Sequence, residues 1–200
     1  MRFALFKCRF SISLYFVAAV AAMLVIDQTG MAVLALTAIC AHEAGHILVM
    51  LIFGQMPEEI KLRLGALSIK KPAVISPGSE AAIMAAGPMA NILVASICYT
   101  LYISVWPKDI LLQICIVHAA TGLFNLMPLR GLDGGTLFYL LVQRFWGHKA
   151  AETATFISSA VFLVTVIVPL AYRSVIGAFN PMIICFAIYL IMLMVMKSHK

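Results

Sequence analysis

Six long apolar runs, approximately 10–26, 30–54, 79–105, 110–145, 154–172 and 176–196, take up most of this 200-residue chain. A helix needs about 20 apolar residues to cross the hydrocarbon core of a bilayer, within a range of about 17–25. Every run reaches the lower limit. The fourth is too long for one plain helix, and the stretch Pro128-Leu129-Arg130-Gly131-Leu132-Asp133-Gly134-Gly135 interrupts it. Composition rules out the soluble alternative. Hydrophobic residues make up 64% and charged residues 11%, against usual values of about 45–50% and about 25%. Too few polar side chains remain to cover a soluble surface, and a disordered chain would be polar. The expected fold is a single membrane-embedded domain over residues 1–200, all-α and polytopic, with about six transmembrane helices.

The net charge of +6 does not point to nucleic acid. The basic residues sit in short gaps between apolar runs, with no aromatic-interleaved basic segment to hold a polynucleotide. The lipid bilayer accounts for them instead. With six spans, one side receives Arg2, Lys7 and Arg9, then Lys61, Arg63, Lys70 and Lys71, and later Arg144, Lys149, Lys197 and Lys200; the other receives only Lys108 and Arg173. The positive-inside rule then places both termini in the cytoplasm of a multi-pass cell-membrane protein. Ile26-Asp27-Gln28-Thr29 offers no A-x-A-like cleavage site, so the first span is expected to stay attached. The five cysteines form no CxxC pair and read as soft hydrophobes. Between the second and third spans, Ile60, Leu62 and Leu64 alternate with Lys61, Arg63 and Gly65, and Leu67 and Ile69 with Ser68 and Lys70. Period two predicts a short β-hairpin-like segment turning near Gly65-Ala66.

The second run contains His42-Glu43-Ala44-Gly45-His46. On a helix, positions i and i+4 share a face, so both imidazoles can ligate one Zn2+ ion. Glu43, about 100° round the helix from His42, is placed to take a proton from water there. The bland reading is a polar cluster that glues helices together. A charged residue in mid-span costs about 2.5–3.5 kcal/mol on insertion scales, which favours a functional reason for Glu43. Catalytic zinc commonly takes three protein ligands and leaves one position to water. Besides Glu43, only Asp133 among the carboxylates lies well inside an apolar run, where Gly131, Gly134 and Gly135 let the backbone leave the helix. The competing reading for Asp133 is an ion pair with Arg130. At 1.5 Å per residue, His46 and Asp133 both fall in the cytoplasmic half of the bilayer. Cys40 lies on the other side of the helix from His42. His118 would be about 22 Å from Asp133 along a helix, too far for the same ion, and reads as a core or pore-lining residue. Gly87-Pro88, among several alanines, reads as a close-packing surface.

His42-Glu43-x-x-His46, then Gly87-Pro88-Met89-Ala90-Asn91, then Asn125-Leu126-Met127-Pro128 leading to Leu132-Asp133-Gly134-Gly135, resemble in that order the site-2 protease family of intramembrane zinc metalloproteases. The resemblance covers residues 42–135. It implies His42, His46 and Asp133 as zinc ligands and Glu43 as general base, as the residues themselves suggest. It also implies substrate contacts by Asn125, Pro128 and Asn91. The family pattern N-P-x-P-x-x-x-L-D-G has a proline where this chain has Leu126, so the loop geometry there is the least transferable part. The chain is most similar to the bare core of the sporulation-type branch, without the PDZ or CBS domains of other members. Regulation would therefore come from separate membrane partners. The implied activity is cleavage of a membrane-anchored or membrane-associated regulatory protein in or near its transmembrane segment, that is, regulated intramembrane proteolysis. The alternative from another class is a membrane metal transporter or metal-binding protein using the same His/His/Asp set.

Overall fold

Strands, rather than a helix, open the chain in the computed structural model, which describes residues 2–5, 8–55, 59–63, 66–70 and 76–175. β1 (Arg2–Leu5) pairs antiparallel with β2 (Cys8–Ile12), Phe3 opposite Phe10. β2 runs parallel to β3 (Glu59–Arg63), Arg9 opposite Glu59 and Ile12 opposite Leu62. β3 pairs antiparallel with β4 (Ala66–Lys70), Ile60 opposite Ile69, which completes a sheet in the order β1-β2-β3-β4. The sequence expectation covered only the second hairpin and assigned residues 10–26 to a helix. In fact α1 spans Leu14–Ile26. Cys8-Arg9-Phe10-Ser11-Ile12 does alternate with period two, but its apolar positions merge into the run that follows and mask the strand.

The helices that follow are α2 (Met31–Ile52), α3 (Pro77–Ser104), α4 (Asp109–Asn125) and α5 (Asp133–Val175). Among the described residues, Met31–Ile52, Pro77–Ser104 and Asp133–Val166 are long and apolar enough to cross a membrane, while α1 and α4 are shorter apolar helices. The expected run 176–196 lies outside the described residues. This is a membrane protein whose membrane-length segments among the described residues are helical; three of the six expected spans are of that length there. Large apolar side chains on the outer faces, including Leu48, Leu93 and Val161, are exposed, as lipid-facing positions are.

The chain divides into two compact units, Met1–Phe124 and Asn125–Lys200. In the first, Asp27 orders the turn from α1 into α2. Its carboxylate accepts from the Thr29 hydroxyl at 2.5 Å, the Ala32 amide at 2.6 Å and the Thr29 amide at 2.9 Å. These bonds, the Thr29 hydroxyl foremost, hold its pKa below the ordinary value. Next, α2 buries Ala38, His42, Gly45, His46 and Met50, and α3 buries Ile83, Gly87, Pro88, Asn91 and Ala95. Both sets repeat at helical spacing. The contact is close because Gly45 has no side chain: a Cβ there would lie 2.5 Å from the Ala86 carbonyl oxygen and 2.9 Å from the Ala90 Cβ. Without a hydrophobic drive between helices in lipid, backbone approach through small residues supplies the packing. Gly122 does the same for α4, where a Cβ would lie 3.0 Å from the Pro88 carbonyl oxygen.

In the second unit the helix resumes at Asp133 after the irregular segment 126–132. Gly131, at φ 102°, takes the left-handed turn that a side chain resists. Cβ atoms on Gly134 and Gly135 would run into the carbonyls of Leu126 and Leu129, so the loop folds back onto the first turn of α5. Hydroxyls of the later part of α5 hold it there. Ser158 Oγ donates to the Pro128 carbonyl at 2.7 Å, and the Arg130 amide donates to Ser159 Oγ at 2.9 Å. α5 itself is broken at Gly147 (φ 80°, ψ 174°), so two helical pieces stand where the hydropathy pattern has separate runs ending at 145 and starting at 154.

Candidate metal centre

His42 and His46 lie one turn apart on α2, and both are buried. Their Nε2 atoms are 3.1 Å apart, with the ring planes at 86°. Two nitrogens bound to one tetrahedral zinc ion at 2.0–2.1 Å would be separated by about 3.3 Å. The pair therefore stands close to the spacing that a single ion requires. At His46 the fit extends to the proton. His46 Nδ1 lies 2.6 Å from the Ile83 carbonyl oxygen; a carbonyl only accepts, so Nδ1 carries the proton and the Nε2 lone pair is left for a ligand. On the other ring, His42 Nδ1 lies 3.5 Å from the Asn91 amide nitrogen, and the Asn91 amide oxygen lies 3.0 Å from His118 Nδ1. Asn91 is fully buried and His118 nearly so.

Both imidazoles pack against the backbone of α3 at Gly87. A Cβ there would lie 2.6 Å from His46 Cε1 and 2.8 Å from His42 Cε1. The sequence suggested general close packing at Gly87-Pro88; the structure gives Gly87 the narrower task of making room for the two rings. The spacing Gly87–Asn91, one helical turn, was the available signal, since it puts the glycine and the amide on one face of α3. Asn91, expected as a substrate contact, directs its amide at His42 and His118 within the packed interior. Glu43 follows His42 on α2 and is half-buried, and Cys40 is exposed.

In the second unit, Asp133 is the first residue of α5 and is half-buried. Arg130, its competing partner in the sequence reading, turns elsewhere. Its Nη2 donates to the Glu152 carbonyl at 3.2 Å, and its guanidinium carbon lies 5.6 Å from the centre of the Phe156 ring. Asn125 ends α4 and is half-buried, while Pro128 is exposed with its carbonyl taken by Ser158.

Fold and site together define a class: a helical membrane protein with a buried histidine pair suited to a metal ion. No protein-family model matches the chain, and no curated protein sequence matches it. Among solved structures, the site-2 protease from Methanocaldococcus jannaschii is similar to it, with a TM-score of 0.69 and 16% identity over 100% of this chain and 95% of that one. The chain has the fold of that protease.

Proposed function

We propose that this protein is an intramembrane zinc metalloprotease that cuts a membrane-anchored regulatory protein in or near its transmembrane segment. The observation that carries the reading is the buried His42–His46 pair, Nε2 to Nε2 at 3.1 Å, with Glu43 beside it on α2. The site-2 protease fold supports it. For the third ligand the reading takes Asp133. The donor set is then two imidazole nitrogens and one carboxylate oxygen, a combination suited to zinc that leaves a fourth position for water.

When bound, zinc supplies Lewis acidity, which makes water a stronger acid and a carbonyl a better electrophile. This chain's residues do the rest. His42 and His46 hold their Nε2 atoms toward one point, and Glu43 takes the proton of the attacking water and passes it to the leaving amine. Asn125, the last residue of α4, and Pro128, within the irregular segment before Asp133, are the residues proposed to hold the extended substrate. The termini and the opening of the site are assigned to the cytoplasmic side from the distribution of basic residues. Separate membrane proteins are proposed as regulators.

Metal analysis of the purified protein tests this reading. One zinc per chain is expected, with stoichiometric zinc lost from His42→Ala, His46→Ala and Asp133→Ala and retained by Cys40→Ala. Zinc that survives Asp133→Ala would remove that residue from the site. A wild-type protein that binds no zinc would end the metalloprotease reading. A zinc-binding protein that moves the ion across a vesicle membrane and cleaves nothing would favour transport.

A further inference from the structure

Among the described residues, His118 is the one buried histidine that the proposed reaction leaves unused. It lies on α4 with 3% of its surface exposed, and its Nδ1 is 3.0 Å from the amide oxygen of Asn91, which is itself fully buried. The amide nitrogen of Asn91 lies 3.5 Å from His42 Nδ1. Three polar side chains from three helices thus form one line through an apolar interior, and one end of the line is a proposed zinc ligand. Buried polar groups of this kind are costly unless paired, so the line is held together once formed.

The chemistry of the line bears on the metal. An amide has one accepting and one donating end of nearly the same size, and a half-turn exchanges them. With its nitrogen toward His42, the ring must accept at Nδ1 and carry its proton on Nε2, which closes that nitrogen to an ion. With its oxygen toward His42, the ring donates from Nδ1 and the Nε2 lone pair is free. The group at the far end of the amide decides between the two. When His118 Nδ1–H donates to the amide oxygen, as in this structure, the amide nitrogen faces His42 and its Nε2 is closed. When His118 Nδ1 accepts from the amide nitrogen, the oxygen faces His42 and its Nε2 is open, which is the arrangement zinc requires. We propose that His118 is a positioning residue for the metal centre, setting through Asn91 which nitrogen of His42 carries the proton. This rests on the reading of His42 as a zinc ligand. It gives His118 a role without any contact with substrate or ion.

The test is the zinc affinity of the purified full-length protein, measured by competition with a fluorescent chelator. Outer partners of metal-bound histidines commonly contribute about 10–100-fold in affinity. His118→Phe is expected to weaken zinc binding by about that factor. His118→Gln, which can still accept from the Asn91 amide, should remain within about threefold of wild type. Asn91→Asp presents an acceptor to His42 whatever stands at position 118, so in that background His118→Phe should cost little. 15N spectra of the histidines should show the proton of His42 on Nδ1 in the zinc-bound wild type. A merely structural histidine would lower stability without this pattern of rescue. If His118→Phe does not fold, Asn91→Leu cuts the same line and is read the same way. Wild-type zinc affinity in a folded His118→Phe or Asn91→Leu protein would overturn the inference. A wild type that binds no zinc would overturn the proposed function instead.

Discussion

Replacing Glu43 by glutamine should abolish proteolysis while leaving zinc in place. The substitution keeps the shape of the side chain and removes its basicity. Glu43 is adjacent to His42 on α2, and the Nε2 atoms of His42 and His46 lie 3.1 Å apart. The His46 ring is fixed by the Ile83 carbonyl and the packing of both rings by Gly87, neither of which the substitution touches. General-base catalysis contributes about 10²–10⁴ in rate, so cleavage of a single-span substrate should fall by at least about 100-fold. Zinc per chain, measured on the same preparation, should match wild type. Loss of both together would make Glu43 part of metal binding. Undiminished cleavage would remove it from the mechanism.

The second large effect is expected at a residue that carries no functional group. Gly87→Ala adds one methyl where the nearest ring carbons of His46 and His42 would be 2.6 and 2.8 Å away, well inside carbon–carbon contact of about 3.5–4.0 Å. The collision has no soft side. The imidazoles sit between two helices already at backbone contact through Gly45, and His46 is tied to Ile83. Relief must come from swinging a ring out of place or from parting α2 and α3, and either spoils the spacing that suits one ion. Zinc affinity should fall by at least 100-fold, at the upper end of what loss of supporting contacts to a metal site costs, and cleavage should fall with it. Gly78→Ala is the control, since nothing lies within 4 Å of a Cβ in that first turn of α3. Full zinc binding by Gly87→Ala would mean that the rings approach the ion from another direction.

Much of this site could be read before any coordinates, and the reason is physical. A bilayer makes a Glu between two His on a long apolar run expensive, so His42, Glu43 and His46 stand out against their surroundings without help from tertiary structure. The same contrast singled out Asp133. Residues whose importance lies in what they leave out were harder to see. Gly87 looks like any small residue on a packing face until the rings above it are placed. Asn91 and His118 are 27 residues apart and meet only because α3 and α4 pack through Gly122. The strands at the N-terminus were lost for a different reason: the apolar half of the β2 alternation continues directly into α1, so the boundary between the two periods falls inside one hydrophobic run. The start of the first run was misplaced for the same reason, since residues 10–12 belong to the sheet and α1 begins at Leu14.

The most direct test of the central claim is to locate the cut. The purified protein would be reconstituted in vesicles with a single-span test substrate, and the products mapped by mass spectrometry with and without a zinc chelator. The expected result is cleavage inside or at the edge of the apolar segment, in its cytoplasmic half, abolished by the chelator and restored by added zinc. Cleavage that persists through chelation, or that falls only in the soluble part of the substrate, would contradict an intramembrane metalloprotease built on His42, His46 and Asp133.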